Sequence, residues 1–174
     1  MAAREGQAVL AAMLQTTTVD LFRSYGISVA PLTPTHLDAK RLATQDLMAM
    51  ISFTSTAMNG GLGLYVPKAV FELVRQDPTR PFSGSAWVQE SVNQLLGRIK
   101  ARLLQFRVTL QLGLPSVLLP RDFAMITAQS TLIVYRFRTL RGEVVLSAHG
   151  RFDCSALDYS SKVSLMNEGD IIVF

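Results

Sequence analysis

Thiol and metal chemistry have little to work with in this chain, which holds one cysteine, Cys154, and two histidines, His36 and His149. One cysteine cannot close an internal disulfide, and no cluster has the ligand spacing of a zinc site. Cys154 with His149 five residues before it is weighed as a thiol nucleophile, but lone cysteines are far more often structural. Charge is sparse as well: 17% of residues are charged against 49% hydrophobic, which excludes wholesale disorder. The net charge of +4 is spread along the chain. Its densest cluster, "RFRTLRG" at 136–142, lacks the interleaved aromatics of a nucleic-acid face, so no nucleic-acid partner is expected. Mild positive charge suits an acidic protein partner instead. Apolar runs are broken by Gln, Arg or Gly well short of the ~20 residues a bilayer demands, so no membrane insertion is expected. The opening stretch, with Glu5, three threonines and Asp20, reads as an amphipathic helix and not an export signal, which makes the cytoplasm the expected compartment. There is no internal repeat and no low-complexity segment.

What is present fits one domain. Apolar residues at mostly helical spacings over 5–24, stopped by Gly26, predict a first helix. "ISVAPLTP" (27–34) is a short extended piece. "DLMAMISFTST" and "GGLGLYVP" are strand-length apolar runs, and the Asn59-Gly60 pair between them predicts the turn of a hairpin. Pro67 then suits the first turn of a helix through "KAVFELVRQ". A long helix follows over 87–106, then an alternating strand from Val108, then a second hairpin turning at Arg141-Gly142. The expected fold class is α/β (α+β): a two-layer sandwich, with a sheet of about six strands and a long central helix plus two further helices on one face. The expected domain spans 1–152, with 153–174 as a C-terminal extension.

The long helix carries the one pattern with chemistry in it. At ~100° per residue, Val88, Val92, Leu95, Leu96, Ile99, Leu103 and Phe106 share one stripe, which must face the core. Glu90, Asn93 and Gly97 group together on the opposite side. Glu90 and Asn93 are three apart and so are surface neighbours. Gly97 costs roughly 1 kcal/mol relative to alanine inside a helix, and what it provides is room for something to approach. A carboxylate, a carboxamide and a gap on one rigid rod make a contact surface for another protein; the competing reading is an ordinary solvated face. "GGLGLY" is not a phosphate loop, since it lacks the Gly-Lys-Ser/Thr ending.

The layout as a whole resembles the CheX-like branch of the CheC/CheX/FliY family of chemotaxis phosphatases. The matching pieces are "MISFTSTAMNGGLGLYVPKAVFELV", then "ESVN", then "LQLGLPSVL". In that family a Glu-x-x-Asn on a long helix is followed about two dozen residues later by a proline in the next strand. Here Glu90 and Asn93 fill the motif and Pro115 lies 22 positions after Asn93. The chain departs from the pattern at Ala86, where the family often has an acidic residue or serine, and it holds only one motif. The resemblance implies hydrolysis of the aspartyl phosphate of a phosphorylated CheY-like response regulator. Asn93 would orient the attacking water and Glu90 would contact the receiver's lysine. Gly97 and Pro115 would shape the partner-binding surface. It also implies a homodimer and no cofactor or metal of the chain's own, the Mg2+ belonging to the receiver. The alternative of a different class is a non-catalytic receiver-binding or scaffold module on the same fold.

Overall fold

The computed structural model describes residues 2–32, 47–75, 83–118 and 132–157. Three helices and seven strands lie in them: α1 (Ala2–Ser24), β1 (Ala30–Pro31), β2 (Leu47–Thr54), β3 (Met58–Val66), α2 (Lys68–Arg75), α3 (Gly84–Leu103), β4 (Gln111–Leu112), β5 (Ser116–Val117), β6 (Leu132–Thr139) and β7 (Gly142–Phe152). The sheet order is β1-β6-β7-β3-β2, with β4 and β5 both pairing the outer side of β2, and the described pairs are antiparallel. Strand alternation divides the sheet into two faces. Ala49, Ile51, Phe53, Leu62, Leu64 and Leu146 point to the face that all three helices cover, and they share one core with Leu14, Phe22, Val70, Val92 and Leu95. The chain is thus an α+β two-layer sandwich, as its periodicities predict.

Each helix of the layer over the sheet has a local cause. The helix α1 buries Leu10, Leu14, Thr17, Leu21 and Phe22, a three-to-four-residue spacing that places one stripe inward. It ends where Gly26 takes a left-handed backbone (φ 75°), so that the Ile27 N–H reaches the Phe22 carbonyl at 3.0 Å and the Gly26 N–H that of Arg23 at 2.9 Å. This double closure satisfies carbonyls the helix leaves open. The helix α3 starts at Ser83, whose Oγ accepts from the Ala86 N–H at 3.2 Å. Its buried side is the stripe read from the sequence from Val88 to Leu103, extended by Trp87 and Ser91; Phe106 lies beyond the helix in a 3-10 turn and is half-buried. Arg102 ties α3 to α1 by donating to Asp20 Oδ2 at 3.0 Å and to Thr16 Oγ1 at 2.7 Å.

Several local predictions need correction: Thr139 pairs with Gly142, so the second hairpin turns at Leu140-Arg141 and not at Arg141-Gly142, and the long helix runs over Gly84–Leu103 and not 87–106. Asn59-Gly60 is not the turn of the first hairpin: Thr54 pairs with Asn59, and the turn is Ser55 to Met58, closed by Ser55 N–H to the Met58 carbonyl (2.7 Å) and Met58 N–H to Ser55 Oγ (2.8 Å). A serine side chain that caps its own turn outcompetes the Asn-Gly signal. Gly60 is used for closeness instead, because a Cβ there would lie 1.9 Å from the His149 carbonyl oxygen on β7. Pro67 precedes α2 as its cap, accepting from the Val70 N–H at 2.8 Å, and does not form its first turn. Cys154 and Leu157, within the stretch set apart as an extension, are buried in the main core beside α1; residues 158–174 lie outside the described residues.

Candidate functional site

Seen down α3, the side chains that do not face the core form one band. Gln89 and Asn93 border the edge strand, Glu90 and Gly97 occupy the middle, and Gln94 borders α1. Glu90 is exposed, while Asn93 and Gly97 are half-buried. Nothing lies within 4 Å of the position a Gly97 Cβ would take, so the core plays no part in the choice of glycine there.

The edge of the sheet completes one side of this band through an irregularity. Phe53 pairs with Leu112 and Met50 with Ser116, so Ile51 and Ser52 on β2 face three residues, Gly113, Leu114 and Pro115. One extra residue is a β-bulge, which bends an edge and re-aims side chains. The Gly113 N–H holds the Ser52 carbonyl at 2.8 Å, and Pro115 has no N–H to lose. Leu114 is thrown outward, 87% exposed. Gln89 Nε2 donates to the Pro115 carbonyl at 3.2 Å and pins the bulge to α3. The chain reverses after α3, so a helical turn on from Gln89 (about 6 Å) matches two residues back along the strand. Passing from Gln89 toward Asn93 along α3 therefore runs from Pro115 back toward Gly113.

On the other side, α1 supplies the support. Gln94 Nε2 donates to Glu90 Oε1 at 2.9 Å, and the Tyr25 hydroxyl donates to Gln94 Oε1 at 3.3 Å. The Ser91 hydroxyl, fully buried, donates to the Tyr25 oxygen at 3.2 Å. The structure therefore brings Glu90, Asn93 and Gly97 together on one face and sets Pro115 at its border. Gln89, Gln94 and Tyr25 were missed by sequence reasoning. The i,i+4 spacing of Glu90 and Gln94 was a readable signal; Tyr25, 69 positions from Gln94, had none.

Elsewhere the candidates thin out. Cys154 is buried, and desolvation pushes its thiol above the ordinary value, the reverse of nucleophile activation. Among the described residues no three His, Cys, Asp or Glu side chains could hold a metal together, and no helix is long and apolar enough to cross a membrane.

No protein-family model matches the sequence, and no curated protein matches it. Solved structures do. A chemotaxis protein CheX from Desulfovibrio desulfuricans aligns with a TM-score of 0.61 at 21% identity, over 79% of this chain and 96% of its own. CheX from Vibrio vulnificus gives 0.64 at 12% identity over 79% and 95%. A chain of the CheX–CheY–BeF3–Mg2+ complex from Borrelia burgdorferi gives 0.60 at 8% identity over 80% and 96%. The chain has the fold of these CheX proteins, over nearly the full length of the solved structures.

Proposed function

We propose that the chain dephosphorylates a phosphorylated, CheY-like receiver domain through the outer band of α3. The observation that carries this reading is the juxtaposition on one rigid helix of the exposed Glu90, Asn93 one turn along, and the open space at Gly97. The fold shared with a chain of a CheX–CheY complex supports it.

The chemistry suits these residue types. An aspartyl phosphate is an acyl phosphate, cleaved when water attacks phosphorus in line with the leaving carboxylate. The water–phosphorus bond forms, the bond to the aspartate oxygen breaks, and inorganic phosphate departs. Little covalent work is required of a protein in such a step, and positioning dominates. Asn93 accepts a hydrogen bond from the water through Oδ1 and donates through Nδ2, which orients the lone pair toward phosphorus. Glu90 receives the receiver's lysine in a charge-assisted contact that sets the docking register. Gly97 admits the receiver's backbone, and Pro115 holds the neighbouring edge. The Mg2+ belongs to the receiver, and this chain needs no cofactor. We further expect a cytoplasmic homodimer, with one such surface per chain.

The exposed Ala86, at the start of the same band, favours a second reading, in which the face binds a receiver without hydrolysing it. One experiment separates the two. The purified chain is mixed with phosphorylated receivers from its own organism, and loss of the phosphoryl group is followed with Asn93→Ala as control. Accelerated loss that vanishes in the variant is expected. Binding without acceleration selects the non-catalytic module.

A further inference from the structure

The geometry points to Gln94 and Tyr25 as positioning residues that preset Glu90 for receiver docking, an inference that rests on the function proposed above. The donor order in this network is forced. A carboxylate only accepts, so Gln94 must turn its NH2 toward Glu90 Oε1, at 2.9 Å. Its carbonyl oxygen is then left facing Tyr25, whose hydroxyl donates to it at 3.3 Å. With its proton committed there, the Tyr25 oxygen accepts from the buried Ser91 hydroxyl at 3.2 Å. Each link selects the orientation of the next, and the row ends in the core.

The anchor is rigid. The Tyr25 ring sits 5.4 Å from that of Trp87 and 6.4 Å from that of Phe22, centroid to centroid, and both of those side chains are buried. Tyr25 stands at the closed end of α1, which Gly26 and Ile27 lock. Glu90 itself is exposed and would otherwise sample many rotamers, a freedom that binding must remove. Holding one carboxylate oxygen leaves the other directed at solvent, where a cationic group of the receiver can meet it. The network acts through Glu90 and touches no reacting atom, so its loss should appear in KM and leave kcat alone.

The test uses the full chain and receiver domains phosphorylated with acetyl phosphate. Gln94→Leu keeps the helix and the side-chain bulk but removes both hydrogen bonds; KM should rise about 3- to 10-fold with kcat unchanged. Gln94→Glu, which sets a like charge beside Glu90, should raise it further. Added to Glu90→Ala, Gln94→Leu should cost nothing more. A second readout needs no receiver: the side-chain amide resonances of Gln94 should shift as the Glu90 carboxyl is protonated, and this response should be absent in Glu90→Gln. Wild-type KM in Gln94→Leu, with Glu90→Ala impaired, overturns the positioning role alone. An amide response that follows Glu90, with no turnover of any receiver by the unaltered chain, overturns the phosphatase function and the docking role built on it.

Discussion

Gly97 separates what the fold wants from what a partner wants, and the two demands predict opposite signs. Gly97 lies in the interior of α3, and a Cβ there would meet nothing within 4 Å. For folding alone, any good helix former is better. Gly97→Ala should therefore stabilise by about 1 kcal/mol, from the helix propensity difference with no packing cost. In a chain of this size that corresponds to a melting temperature higher by roughly 2–4 °C. Gly97→Gln should retain about half of that gain, because its side chain extends into solvent. A docked receiver reverses the ranking: a long side chain fills the space between Glu90 and Asn93, and phosphoryl loss should drop about tenfold or more. Thermal melts and receiver dephosphorylation on the same three proteins give the answer. A Gly97→Gln variant that is more stable and hydrolyses at the wild-type rate would refute the idea that the gap serves a partner. A Gly97→Ala variant that melts lower would refute the reading of open space.

Asn93→Ala should lower turnover by roughly 100-fold or more while receiver affinity stays near normal, since a misplaced nucleophile is costly where positioning is the catalyst. Glu90→Ala should show the converse, with affinity lost more than turnover, as a titration against a phosphoryl-mimic receiver would read. His149, half-buried with its ring over Gly61, is held below the ordinary histidine value by desolvation. Its folded form thus prefers to be neutral, so its contribution to stability is present above the unfolded value of about 6.5 and is lost as pH falls through the folded one. Melting temperatures at pH 5 and 7.5 should differ more in the wild type than in His149→Gln. Arg102→Met, which cuts α3 from Asp20 and Thr16, should cost about 1 kcal/mol or less because both partners of the ion pair are about one-third exposed (32% and 34%). Chemical denaturation checks that value.

Periodicity made the helices legible because burial imposes it. The inward stripe of α3 needed only the 3.6-residue repeat, while β2 was legible as a strand-length apolar run and β7 as the partner of β6 across a tight turn; β7 is buried continuously from Val144 to Ala148 and shows no repeat of two. The first hairpin was readable as a hairpin but not at its turn. Asn59-Gly60 is the strongest local signal in the segment, yet Ser55 closes a turn four residues earlier with its own side chain. The backbone then needs Gly60 where it passes β7. Glycine scarcity of volume and glycine freedom of angle look identical in a sequence; only the neighbouring strand tells them apart.

The grouping of Glu90, Asn93 and Gly97 was legible for the same reason as the core stripe, since it is its complement. Its borders were not, and they are what turn a solvated face into a surface with a shape. One is the bulge at Gly113–Pro115, a single extra residue against β2 that no alternation pattern predicts and that leaves Leu114 87% exposed. The other is Tyr25, brought to Gln94 only because α1 packs antiparallel on α3 and closes at Gly26. Gln89 and Gln94, five positions apart, reach in opposite directions to these borders, one to the Pro115 carbonyl and the other to Tyr25. Both glutamines would pass as surface filler in a helix. Between them they hold the helix face in register with an edge strand on one side and a buried hydroxyl network on the other. Such support is what a surface requires if it is to place a carboxamide beside a phosphorus atom to within a fraction of an ångström.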